Sequence, residues 1–169
     1  WGELMTVAVD SAVLAAEIMI IIAASGIFSW LLTISQAQLG LSQFFSTYAS
    51  HPVVVLLLIN VVLLIAGMFI DPNSPQVILI PLLFPIALAA GVDPVHLGII
   101  VTLNLAIGMY TPPFGLNIFV SGGVFQASYR ELVTAVMPFI AVSIVALALI
   151  TYIPSISLLI PQLVYGGAW

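Results

Sequence analysis

The sequence predicts an all-α, polytopic integral membrane protein built around a re-entrant hairpin and a broken transmembrane helix. Three observations lead there. Of the 169 residues, 63% are hydrophobic and 4% charged, with a mean hydropathy of +1.35, whereas soluble domains carry about 25% charged residues. No soluble fold covers that much apolar surface. The apolar residues fall into separate runs, several long enough to cross the ~30 Å hydrocarbon core of a bilayer. Finally, Gly108-Met-Tyr-Thr-Pro-Pro-Phe-Gly115 interrupts one such run between Ile99–Ile107 and Leu116–Phe125. Two adjacent prolines remove two backbone donors and clash with the preceding turn, so a continuous helix cannot pass them. A backbone group freed at membrane depth costs several kcal/mol unless protein, water or an ion satisfies it. Discontinuous helices with polar, Gly/Pro-rich centres therefore line cavities that hold ions or solutes.

Taken in order, residues 1–50 comprise a transmembrane helix and an amphipathic surface connector. The apolar segment runs from about Val7 to about Ile34, with Ser25 and Gly26 directly after Ala23 and Ala24. Small residues there point to close helix packing, local unwinding being the alternative. Between Ser35 and Ser50, Leu41, Phe44, Phe45 and Tyr48 recur at helical spacing among polar residues, the pattern of a helix lying along the membrane surface. Residues 51–71 form a plain scaffold span in which Asn60 is the one polar residue from Pro52 to Ile70. Pro52 is tolerable in its first turn.

Pro72, Pro75, Pro81 and Pro85 fall between Pro72 and Gly91. Pro81 and Pro85 would occupy a helix interior, at a cost of ~3 kcal/mol each. This segment reads as a hairpin over 72–91, two short arms entering and leaving by one side, in preference to one kinked crossing helix. Asp93-Pro94 reads as an N-cap and first helical position. The helix from Pro94 to Ile107, roughly 21 Å long, then ends inside the membrane at the break, and Leu116–Gln126 completes a broken helix over 94–126. Ser128-Tyr-Arg-Glu131 has capping-box spacing and opens the C-terminal region, 129–169: a helix to about Ile153 kinked at Pro138, then a shallow irregular tail marked by Pro154 and Pro161. Arg130 is the one basic residue, and the positive-inside tendency puts its turn in the cytoplasm with the hairpin open to the periplasm. The chain shows no internal repeat and begins with Trp1; it reads as a piece of a longer polytopic protein.

Polar residues gather at two places. Asp71, Asn73 and Ser74 stand where the hairpin begins. Asp71 either caps the next segment as a solvated helix end, or holds the hairpin and offers oxygen to a cation; hard cations prefer carboxylate, hydroxyl and carbonyl oxygen. Asn104, Gly108, Thr111, Pro112, Pro113, Gly115 and Asn117 bracket the break, Asn104 and Gly108 sharing one helix face. The last carbonyls of the first half-helix lack partners and carry the negative dipole end, a cradle for a cation. The free N–H groups of the second half-helix suit a carboxylate. Asp71, Gly108 and Thr111 are the sodium-ligand candidates, and a mere packing kink is the competing reading. Glu17 lies mid-span in the first helix, where an ionised carboxylate is expensive. His51 and His96 read as boundary residues.

Other function classes are poorly served. A formal charge of −5 argues against nucleic acid as a partner. With no cysteine, thiol catalysis and disulfides are out. Serines are scattered, both histidines sit near segment ends, and no Gly-x-Ser-x-Gly elbow is present, so an intramembrane enzyme is not expected. No cofactor is expected.

Gly67-Met-Phe-Ile-Asp71, Pro81-Leu-Leu-Phe-Pro85, Gly91-Val-Asp-Pro-Val-His-Leu-Gly98 and Asn104-Leu-Ala-Ile-Gly-Met-Tyr-Thr-Pro-Pro-Phe-Gly-Leu-Asn117 resemble the C-terminal part of the large membrane subunit of tripartite ATP-independent periplasmic (TRAP) transporters. The resemblance covers most of the chain from about Leu58 onward, and before Pro52 it is mainly one of hydropathy. It implies an elevator-type secondary transporter of two inverted repeats, of which this chain is the second, with 72–128 as the transport region. It implies sodium-coupled uptake of a small organic acid, such as a C4-dicarboxylate or sialic acid, delivered by a periplasmic binding protein. A small membrane subunit is the other partner, and the location is multi-pass in a bacterial or archaeal inner membrane. One sodium site falls at Gly108–Pro113 with Asp71 nearby, while Glu17 departs from the apolar character expected at its position. An elevator carrier without a binding protein and a non-transporting membrane subunit are the rival readings.

Overall fold

In the computed structural model the described residues, 1–35, 51–69 and 73–166, form seven α-helices. The expected surface connector lies outside them. Helix α1 (Gly2–Ile34) runs unbroken for 33 residues, about 50 Å, and its backbone stays helical through Ser25 and Gly26. Next come α2 (Pro52–Phe69), α3 (Asn73–Ala89), α4 (Pro94–Gly108), α5 (Leu116–Phe125), α6 (Tyr129–Tyr152) and α7 (Pro154–Tyr165). Among the described residues, α2 and α6 are the helices long and apolar enough to cross a membrane.

The core is a three-helix seam. On α2, Val55, Ile59, Leu63 and Gly67 are buried, a spacing of four that draws one stripe down the helix. On α4, Leu97, Ile100, Val101, Leu105 and Gly108 face it, and Leu83, Ile86 and Ala87 of α3 close the third side. Asn104 meets Asn60 low on this interface and Gly108 meets Gly67 high on it, so α2 and α4 run parallel. Helix α3 must then return antiparallel between them. α6 packs on α4 and α5, α7 on α4 and α6, and α1 lies against α3. The outer faces stay apolar: Leu57, Val61 and Ile65 of α2 and Phe139, Val142 and Val145 of α6 are exposed, as a lipid-facing surface requires.

The helix-end signals hold. α3 stops in a Schellman arrangement, with Val92 N donating to Ala87 O (3.0 Å) and Gly91 N to Leu88 O (2.9 Å). Gly91 supplies the φ of +79° that this needs. Asp93 caps α4, its Oδ1 accepting from Val95 N (2.8 Å) and His96 N (3.1 Å). Ser128 and Glu131 form the full capping box on α6. Ser128→Ala removes the hydroxyl from that box and is expected to lower stability by about 1 kcal/mol, measurable as a fall in the thermal unfolding midpoint of the purified protein.

Two expectations are corrected. Residues 73–89 are one continuous helix holding Pro81 and Pro85, not two arms of a hairpin over 72–91. The prolines stand four apart, so both missing bonds fall on the same side, and a helix so weakened bends instead of stopping. The tail after Ile153 is likewise no irregular segment: Pro154 sits at the first position of α7, where it costs nothing.

Candidate functional site

Met109–Gly115 is the expected break, a non-helical stretch between α4 and α5 with a cis bond between Pro112 and Pro113. Its start is pinned against the end of α2. A Cβ on Gly108 would lie 2.5 Å from Gly67 C and 2.6 Å from Gly67 Cα, and one on Gly67 would lie 3.1 Å from Leu105 Cα. Glycine at 108 lets these backbones meet, and glycine at 67 lets them do so without a shift. The far end of the break is tied to the same place. Gly115 N donates to Met68 O (3.2 Å), and the Phe69 and Phe114 rings sit 5.2 Å apart. Gly115 has φ +45° and its Cβ would press on Thr111 O.

Three helix ends thus meet in one region, with a fourth a short link away. The C-terminal ends of α2 and α4 touch through the glycines, and the N-terminal end of α5 touches α2 through Gly115. The N-terminal end of α3 stands three residues after α2, within about 15 Å of it by chain length alone. Paired negative dipole ends favour a cation and paired positive ends an anion.

The hydrogen bonds refine this. The carbonyls of Leu105, Ile107 and Gly108 accept from Met109 N, Tyr110 N and Thr111 N, so the end of α4 is not bare as expected. Each carbonyl has a second lone pair. At the head of α5, Asn117 N donates to Met109 O (2.9 Å) and Ile118 N to Gly115 O (2.7 Å), so these N–H groups are also engaged. Thr111 Oγ1 donates to Ile107 O (2.6 Å). That commits the hydroxyl hydrogen and leaves its lone pairs for a cation.

The expected site residues separate into groups. Gly108, Thr111 and Gly115 are buried at the joint, Pro112 is half-buried there and Pro113 is exposed. The Pro113 carbonyl accepts from Tyr129 Oη. Asn73 opens α3 and Ser74 is half-buried in its first turn, while Asp71 lies outside the described residues. Asn117 is exposed and lines, with Tyr110, Ile118, Ser121, Leu132 and Phe139, a cavity of about 260 Å³ between α5 and α6. Asn104 is wholly buried but belongs to another cluster. Its Nδ2 donates to Asn60 Oδ1 (2.6 Å) and Ile100 O (2.8 Å).

Sequence reasoning passes over Met68, whose carbonyl holds the break, and the partners of Asn104. Asn60 Nδ2 donates to Thr151 Oγ1 (3.1 Å). His96, read as a boundary residue, is 2% exposed and bonds to Ser157 Oγ and Thr151 O. A lone Asn in an otherwise apolar span is the available signal for the first; nothing in the sequence pairs His96 with α7.

Comparison with known proteins bears on this arrangement. A family model described as "Tripartite ATP-independent periplasmic transporter, DctM component" matches residues 1–156. The chain is 39% identical over 161 residues to the C4-dicarboxylate TRAP transporter large permease protein DctM of Pseudomonas aeruginosa, covering 95% of this chain and 38% of that one. It is 39% identical over 155 residues to the isethionate TRAP transporter permease protein DctMQ of Oleidesulfovibrio alaskensis, covering 92% and 24%. Over 140 residues it is 38% identical to the sialic acid TRAP transporter large permease protein SiaM of Vibrio cholerae, covering 83% and 33%. The chain therefore spans between a quarter and two-fifths of the length of these relatives, all of them named as permeases and none as an enzyme.

Proposed function

Because the chain belongs to the DctM component family of tripartite ATP-independent periplasmic transporters, we propose that it forms the part of a large permease subunit that holds one coupling-ion and substrate half-site. The observation that carries the reading is the joint of Gly67 and Gly108, where helix ends of both polarities converge beside a backbone break. Sodium is the coupling ion. Thr111 Oγ1 and the second lone pairs of the Gly108 and Met68 carbonyls supply oxygen, with Asp71 in the adjoining link. The N-terminal ends of α3 and α5, with Asn73, Ser74 and Asn117, face the anionic group of the substrate. Relatives are named for C4-dicarboxylate, isethionate, sialic acid and ectoine, each a small solute bearing a carboxylate or sulfonate, and this chain's substrate belongs to that class.

Helices α2 to α5 move as one body in an elevator cycle, because the glycine joint and the Gly115–Met68 bond leave the break no freedom of its own. Sodium entering the break completes the substrate site on a backbone already held in place, which gives coupling without ATP. A periplasmic binding protein delivers the substrate and a small membrane subunit braces the carrier in the inner membrane.

The test is uptake of labelled organic acids into proteoliposomes holding the complete large subunit and its small partner, with and without a sodium gradient and binding protein. Uptake that needs both supports the proposal; uptake indifferent to the binding protein favours a stand-alone elevator carrier. Within that assay, Thr111→Val keeps the side-chain shape and removes one oxygen. It is expected to raise the half-saturating sodium concentration about tenfold, the worth of one charge-assisted contact of ~1.5 kcal/mol. An unchanged sodium dependence would remove Thr111 from the ligand set.

A further inference from the structure

The buried polar cluster beneath the joint has no part in that scheme, yet it reaches through four helices. His96 stands in the first turn of α4, about 18 Å along the helix from Gly108. Its Nε2 faces Thr151 O at 3.2 Å. A carbonyl only accepts, so Nε2 carries the hydrogen, and Nδ1 faces Ser157 Oγ. Thr151, at the end of α6, is 0% exposed, and its hydroxyl lies 3.1 Å from Asn60 Nδ2 and 3.5 Å from Asn60 Oδ1. Asn60 Oδ1 accepts from Asn104 Nδ2 (2.6 Å), whose other hydrogen goes to Ile100 O. Both amide hydrogens of Asn104 are thereby committed. Its Oδ1 is buried without a partner among the described residues, a cost that a loosely held side chain would escape by rotating.

The Asn60–Asn104 bond ties α2 to α4 in register. Gly67 lies two turns above Asn60 and Gly108 one turn above Asn104, on the same faces. Register sets how closely the two glycine backbones meet, and sliding one helix along the other would draw them apart. We propose that His96 is a positioning residue for the ion site: it holds Thr151, which buttresses Asn60, which fixes the register of α2 and α4. The proposal rests on the sodium-coupled reading above. The arm through Thr151 carries the effect, and the arm through Ser157 serves only to seat α7.

The two arms can be cut separately, because an Asn amide nitrogen takes the place of Nδ1 and a Gln amide nitrogen that of Nε2. The experiment measures equilibrium binding of radioactive sodium alone to the complete large subunit with its small partner. His96→Asn and Asn104→Leu are each expected to raise the apparent dissociation constant about fivefold, the range of coupling carried by packed networks. The double variant goes no further, while His96→Gln and Ser157→Ala bind as wild type. Variants that lose yield or thermal stability yet bind sodium normally would overturn the proposal, leaving His96 a structural residue. Loss in His96→Gln with retention in His96→Asn would overturn it too, by assigning the effect to the α7 arm. A wild type that binds no sodium would sink the sodium-coupled reading and this one together, a failure visible before any variant is made.

Discussion

Gly108→Ala is expected to abolish uptake and to destabilise the protein by about 3 kcal/mol, the upper end of what overpacking costs. The added methyl would sit 2.5, 2.6 and 2.9 Å from the C, Cα and O atoms of Gly67. None of these belongs to a side chain that could turn aside. Relief requires α2 and α4 to part, which pulls Met68 O from Gly115 N and opens the break. Gly67→Ala meets Leu105 Cα at 3.1 Å, Leu105 O at 3.2 Å and Gly108 Cα at 3.3 Å, so a shift of a few tenths of an ångström suffices and partial activity remains. A methyl on Gly98, in the same helix as Gly108, meets nothing within 4 Å, and that variant transports normally. Thermal unfolding and uptake measured on the three variants check the ranking. Gly108→Ala transporting at the wild-type rate would show that the glycine contact does not persist in the working carrier.

That ranking is not legible in the sequence, and the reason is physical. The break itself is legible because Pro112 and Pro113 forbid a helix whatever surrounds them. The caps at Asp93 and Ser128 are legible because their partners lie within three residues. The continuity of α3 is missed when its prolines are read as helix terminators, because Pro81 and Pro85 share a face and a buried helix held by Leu83, Ile86 and Ala87 outweighs two lost bonds. Gly67 stands in a recognisable motif, but its partner, Gly108, lies far along the chain. His96 illustrates the same limit. Its neighbours Asp93 and Pro94 mark it as a helix start, correctly, while the burial that makes it matter comes from Thr151 and Ser157 on α6 and α7.

Asn60→Leu is expected to destabilise the protein more than Asn60→Leu combined with Asn104→Leu. Interhelical hydrogen bonds in membrane proteins average only ~0.6 kcal/mol and reach about 1.7, so the loss of attraction alone is modest. The greater cost comes from what the single substitution leaves behind. Asn104 keeps an amide that is 0% exposed, with one hydrogen still on Ile100 O and the other facing a leucine. Thr151 Oγ1 loses Asn60 as well. Orphaning a buried polar group costs about 1–3 kcal/mol, which puts the single variant at roughly 2–3 kcal/mol. The second leucine removes the Asn104 amide, together with the Oδ1 that finds no partner among the described residues, and restores an apolar contact between α2 and α4. About half the loss should return. Such a pair is non-additive by construction, and thermal unfolding of the two single variants and the double variant measures the coupling directly. Strict additivity would mean that the two side chains do not meet in the folded protein. A stable double variant that has lost sodium dependence would separate the two roles of this contact, since apolar packing can replace its energy but not the register that brings Gly67 to Gly108.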